Sequence, residues 1–169
     1  ARWYAETQAP LCLGLRTHVP FPADFDGDGK ADPTAFRPAG GMWFVSRSSS
    51  GYTEYHAYQW GLLGDTPFLG DFDADGKADL AVFRGTNGTF VSFSSTGYTT
   101  SQPVGFVGPG PGYVPAGMGL DNDRRDEIFL FDPAGAATYI WNFATATATT
   151  APFAAGRGNV PVGRPALPS

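Results

Sequence analysis

The chain has 169 residues, with 23 Gly and 15 Pro; 42% are hydrophobic, 15% aromatic and only 16% charged. That length suits one domain or a short array of repeats and excludes a multidomain machine, while 14 Phe, 7 Tyr and 4 Trp supply too much apolar surface for disorder. A net charge of -5 without a Lys/Arg cluster argues against a nucleic-acid partner, and no run of 18 apolar residues is present to insert into a membrane.

In chain order, the first twenty residues lack a signal peptide's layout of charge followed by apolar core, and the start at Ala1 without an initiator Met suggests a processed or excised chain. Cys12 is the only cysteine, has no intramolecular disulfide partner, and is expected to be a small buried residue. Trp3-Tyr4 matches Trp43-Phe44 and so predicts a third strand of an incomplete unit.

A repeat follows. Residues 22–37 (PADFDGDGKADPTAFR) and 69–84 (LGDFDADGKADLAVFR) agree at 10 of 16 positions, 47 residues apart, and a looser copy runs GMGLDNDRRDEIFLFD from Gly117 to Asp132. Ser48-Ser49-Ser50-Gly51-Tyr52 answers Ser94-Ser95-Thr96-Gly97-Tyr98, and Pro20, Pro67, Pro115 and Pro161 each open a unit. The units are 20–66, 67–113 and 114–160, with a partial one made from 1–19 and 161–169. The second shows four strand-like pieces: Phe68–Phe72, Leu80–Arg84, Phe90–Ser94 and Tyr98–Val104, the middle two joined by Asn87-Gly88, a strong hairpin signal. The Ala/Thr alternation of Ala144–Thr150 falls where the third unit needs its fourth strand. Four short strands per unit of this length predict an all-β chain folded as a β-propeller, with three complete blades and one split between the termini.

Of the 16 acidic residues, 12 lie in three loops: Asp24, Asp26, Asp28 and Asp32; Asp71, Asp73, Asp75 and Asp79; Asp121, Asp123, Asp126 and Glu127. Carboxylates so crowded repel one another, and a bound cation turns the repulsion into attraction. Side chains at loop positions 1, 3 and 5 converge only around a sharp bend, which Gly29 and Gly76 at position 6 permit; position 7 (Lys30, Lys77) then offers a backbone carbonyl, and position 9 (Asp32, Asp79) closes the shell. Such hard oxygen donors point to Ca2+ at two sites. An EF-hand is excluded, because its position-12 Glu is replaced by Ala35 and Val82 and the flanks read as strands. The third loop has Gly119 at position 1 and Arg124 at position 6, so Asp121, Asp123, the carbonyl of Arg125, and Glu127 are expected to form a weak or lost site, with the aspartates paired to Arg124 and Arg125.

In these loops DFDGDGKAD and DFDADGKADLAVFR resemble the FG-GAP/VCBS repeats, and the likeness extends over about residues 19–165. The resemblance implies a secreted, calcium-stabilised propeller with ligands at positions 1, 3, 5, 7 and 9. Family propellers usually have about seven blades, so closure is expected either within one chain as a four-bladed ring or across a homo-oligomer.

Only His18 and His56 are present, neither placed for a triad or zinc site, and the carboxylates a glycosidase would use are committed to the loops, so no enzyme is expected. Trp43 and Trp141 recur with the period and read as packing residues. Trp60, with Tyr52, Tyr55 and Tyr58, remains as a stacking surface for a glycan or an extracellular protein. The alternative function is a structural module whose surfaces join subunits or a larger secreted chain.

Overall fold

The computed structural model describes residues 2–3, 11–12, 17–85, 87–104, 112–134 and 137–152. These are strands and turns, with a single 3-10 turn at Ser94–Thr96 and no α-helix among the described residues. Strands β1 (Arg2–Trp3) and β2 (Leu11–Cys12) form a short antiparallel ladder, Arg2 opposite Cys12. The side chain of Cys12, the remainder of 1–16 and all of 153–169 lie outside the described residues, and with them the split unit and its closure.

Three four-stranded antiparallel sheets follow, each a meander in which sequence neighbours pair. The first contains β3 (Val19–Pro20), β4 (Thr34–Arg37), β5 (Met42–Ser46) and β6 (Tyr55–Gln59). The second contains β7 (Thr66–Gly70), β8 (Asp79–Arg84), β9 (Gly88–Ser92) and β10 (Ser101–Val104). The third contains β11 (Val114–Met118), β12 (Glu127–Phe131), β13 (Ala137–Asn142) and β14 (Thr147–Pro152). The described chain divides into two compact units between Asp65 and Thr66, the first sheet in one and the other two sheets together.

Several strand limits differ from those the sequence predicts, for local reasons. The first strand of the second sheet stops at Gly70 rather than Phe72, because the Phe72 amide leaves the ladder to donate to the Asp79 carboxylate at 2.8 Å. Its fourth strand starts at Ser101 rather than Tyr98: Gly97 and Tyr98 both take left-handed backbone, φ 64° and 61°, which turns the chain before pairing resumes. In the third sheet, residues 143–146 are a turn held by Asn142 Oδ1, which accepts from the Thr145 amide at 2.9 Å, so β14 begins at Thr147.

The second strand of each sheet is almost wholly buried, as the apolar runs AF, LAVF and IFLF require. In the first unit Trp43 is fully buried, its ring 4.8 Å from Phe36 and 5.5 Å from Phe21, and its Nε1 donates to the Trp60 carbonyl at 2.8 Å. In the second unit Phe68, Phe72, Phe83, Val91, Ile128 and Leu130 form one core, with Trp141 and Phe143 packed against it. Both periodic tryptophans are thus packing residues. Strands β7 and β11 approach so closely that a Cβ on Gly117 would overlap the Leu69 carbonyl.

Candidate metal centres

Each acidic loop joins the first and second strands of its sheet, and within each a set of three carboxylates converges: Asp24, Asp26 and Asp32; Asp71, Asp73 and Asp79; Asp121, Asp123 and Glu127. In every set the ligand atoms lie within 4.8 Å of one another. Oxygens bound at ~2.3–2.6 Å to a common calcium ion can be up to about 5 Å apart, so each set fits around one such ion. The donors in each set are all carboxylate oxygens, the hard type that suits an alkaline-earth cation. Each of the three loops can therefore hold a metal ion.

The loops are shaped by their own aspartates. Asp24 Oδ1 accepts from the Gly27 amide at 2.6 Å and Oδ2 from the Gly29 amide at 2.8 Å, and Asp71 similarly gathers the amides of Asp75 and Gly76 at 3.1 and 2.9 Å. Gly29 and Gly76 sit at φ 81° and 82°, the left-handed backbone the bend needs. The third loop makes the same bend with Arg124 at φ 72°, a conformation that costs a side-chain-bearing residue ~1 kcal/mol.

Position 9 binds the loop to the connector between the third and fourth strands. Asp32 accepts from the Phe25 amide at 2.8 Å and the Ser48 amide at 2.7 Å, and Asp79 from Phe72 at 2.8 Å and Ser94 at 2.7 Å. The connectors also supply hydroxyls: Ser49 donates to Asp26 at 2.6 Å, Ser95 to Asp73, and Ser94 to Asp75 at 2.9 Å. In the third loop one side chain serves both ends, with Asn142 Nδ2 donating to Asp121 at 3.3 Å and to Glu127 at 3.1 Å. These serines and Asn142 were not among the residues expected from the acidic spacing, although the recurring Ser-Ser-x-Gly-Tyr string was the signal.

Position 5 differs from expectation in the first two loops. Asp28 and Asp75 are outside the converging sets; Asp28 accepts from the Lys30 amide at 2.9 Å and pairs with Lys30 Nζ at 3.6 Å, while Asp75 accepts from the Lys77 amide at 2.9 Å. In the third loop position 5 joins the set as Asp123, in place of the missing position 1. Arg125 does not pair with Asp121 or Asp123 through its guanidinium. It reaches the Phe72 carbonyl of the second loop at 3.1 Å, and its amide donates to Asp123 at 2.8 Å.

Electrostatics records the crowding. Burial, reinforced by neighbouring carboxylates, pushes Asp79 up to about 7 and Asp71 up to about 6, and raises Asp32 and Glu127 as well. Without a cation, the folded chain thus holds protons that the unfolded chain releases near the ordinary carboxylate value. Stability from Asp71 and Asp79 is fully present below that value and is lost as pH rises through about 6 and about 7 respectively. In chelator, the melting temperature is expected to fall between about pH 4 and pH 7.5, and Asp79→Asn should flatten that fall. A melting temperature that rises with pH equally in both proteins would contradict this.

The proposed stacking residues do not share one surface. Tyr55 lies on the edge strand β6 and is 58% exposed, whereas Tyr58 points to the opposite face beside His56, rings 6.3 Å apart. Tyr52 and Trp60 are half-buried. His18 stacks on Phe44 at 5.8 Å, and burial, then Arg37, lowers its pKa.

No protein-family model matches the sequence, and no curated protein matches it.

Proposed function

We propose that the chain is a non-catalytic, calcium-stabilised β-propeller module of the FG-GAP/VCBS type, secreted, which recognises a glycan or an extracellular protein. The observation that carries this reading is one device used three times: a four-stranded meander whose first loop gathers three carboxylates. A propeller is the arrangement in which such small sheets bury both faces, and the buried second strands and the close approach of β7 to β11 support it. Asp24, Asp26 and Asp32 would hold one ion and Asp71, Asp73 and Asp79 a second, with Asp121, Asp123 and Glu127 a weaker set. A bound ion there supplies positive charge that offsets the clustered carboxylates.

For recognition, Tyr55 is the best-placed aromatic, because its ring is exposed on an edge strand. A glycan array and a pull-down of extracellular proteins, each with calcium and with chelator, test the reading. Binding is expected only in calcium; Tyr55→Ala should weaken it without lowering the melting temperature, whereas Trp60→Ala should also reduce stability. A second reading, an assembly module, is favoured by Leu62 and Leu63, which are 58% and 82% exposed. No ligand in calcium, together with a native mass above one chain, would select it.

A further inference from the structure

We propose that Asp126 and Arg125, in the third loop, are positioning residues for the ion of the second loop, an inference that rests on the calcium reading above. The Asp126 amide donates to the Asp71 carbonyl at 2.7 Å, and the Asp71 amide donates back to Asp126 Oδ2 at 2.9 Å. The guanidinium of Arg125, one residue before Asp126, donates to the carbonyl of Phe72, one residue after Asp71, at 3.1 Å. The main chain is therefore tied on both sides of the Cα that carries the position-1 carboxylate.

A Cβ on Gly70 would overlap the Phe72 ring at 2.6 Å and come within 3.1 Å of Asp126 Oδ2, so the bare glycine leaves space for both the ring and the bridge. The first and second loops carry Ala31 and Ala78 where the third has Asp126, and alanine has no acceptor to offer. With its backbone fixed, Asp71 has only its side-chain torsions left to order when an ion arrives, and its carboxylate is already aimed by the amides of Asp75 and Gly76. Groups that orient a ligand in this way typically change metal affinity by ~10–100-fold when removed.

The test is a calorimetric calcium titration in an Asp24→Ala, Asp121→Ala background, where the second loop keeps the one intact set. Adding Asp126→Ala or Arg125→Ala is expected to weaken binding roughly tenfold. Arg125→Ala discriminates sharply, because it removes a positive charge from beside a cation site, so an effect through charge alone would tighten binding. The Asp126→Ala loss should persist at about 0.5 M salt, where long-range attraction is screened. Unchanged or tighter binding in Arg125→Ala, or a loss in Asp126→Ala that vanishes in salt, overturns the proposal. A cooperative melt in chelator checks that each variant folds; if Asp126→Ala does not, Arg125→Ala decides alone. A background protein that binds no calcium instead overturns the calcium reading itself.

Discussion

Chelation of calcium is expected to lower the melting temperature by roughly 10–20 °C. Each ion present at ~100 times its dissociation constant adds about 2.7 kcal/mol, two ions roughly 5 kcal/mol, and a chain of this size shifts ~2–4 °C per kcal/mol. Two ions would also nearly cancel the formal charge of -5, reducing self-repulsion. Millimolar calcium should restore the melt. Asp71→Ala is expected to remove one ion from the stoichiometry and part of the stabilisation, because position 1 both completes the set and holds the amides of Asp75 and Gly76. Asp121→Ala should change stoichiometry little, since two of the three carboxylates in the third set are exposed to competing water, whereas those of the first two sets are half-buried or buried. Calorimetry reporting three equivalent sites would refute that ranking, and identical melts in calcium and chelator would refute calcium binding.

Phe72→Ala should be the most damaging single core change in the second acidic loop. The ring is fully buried between Phe68 at 6.0 Å and Phe143 at 5.2 Å, so truncation leaves a cavity lined by residues of two sheets. Such changes cost ~3–5 kcal/mol. The backbone amide to Asp79 survives the substitution, so the loss belongs to packing rather than to ligand geometry. Urea unfolding in calcium measures it, with Phe93→Ala, whose ring is only half-buried, as the milder control. A loss below about 1 kcal/mol would mean that the loop and the core are not joined as described.

The sheets were legible because their strands recur with the sequence period, and so were the position-6 glycines, because the bend they permit is local. Ligand choice was less so. Spacing places Asp28 and Asp75 among the ligands, yet in the fold each carboxylate lies outside the converging set and accepts the amide two residues on, an arrangement that spacing does not encode. The serine donors on Asp26 and Asp73 were visible as a repeat without a role, since their partners lie 23 and 22 residues away. Asp126 left no periodic trace at all, because neither of the other loops has its counterpart. Tyr55 and Tyr58 looked like one surface, but an odd spacing along a strand puts them on opposite faces.

Because every one of the three sheets pairs only strands adjacent in sequence, no long stretch of chain must be closed before a ladder can form. Loop-closure entropy is therefore spent in small steps, and the contact separation within each sheet resembles that of fast-folding local topologies more than that of a Greek-key sandwich. The exceptions are the bridges between the second and third loops, such as Asp71 to Asp126 across 55 residues. Nascent chain emerging from a ribosome could thus complete each meander in turn, leaving these long-range ties to lock neighbouring sheets last.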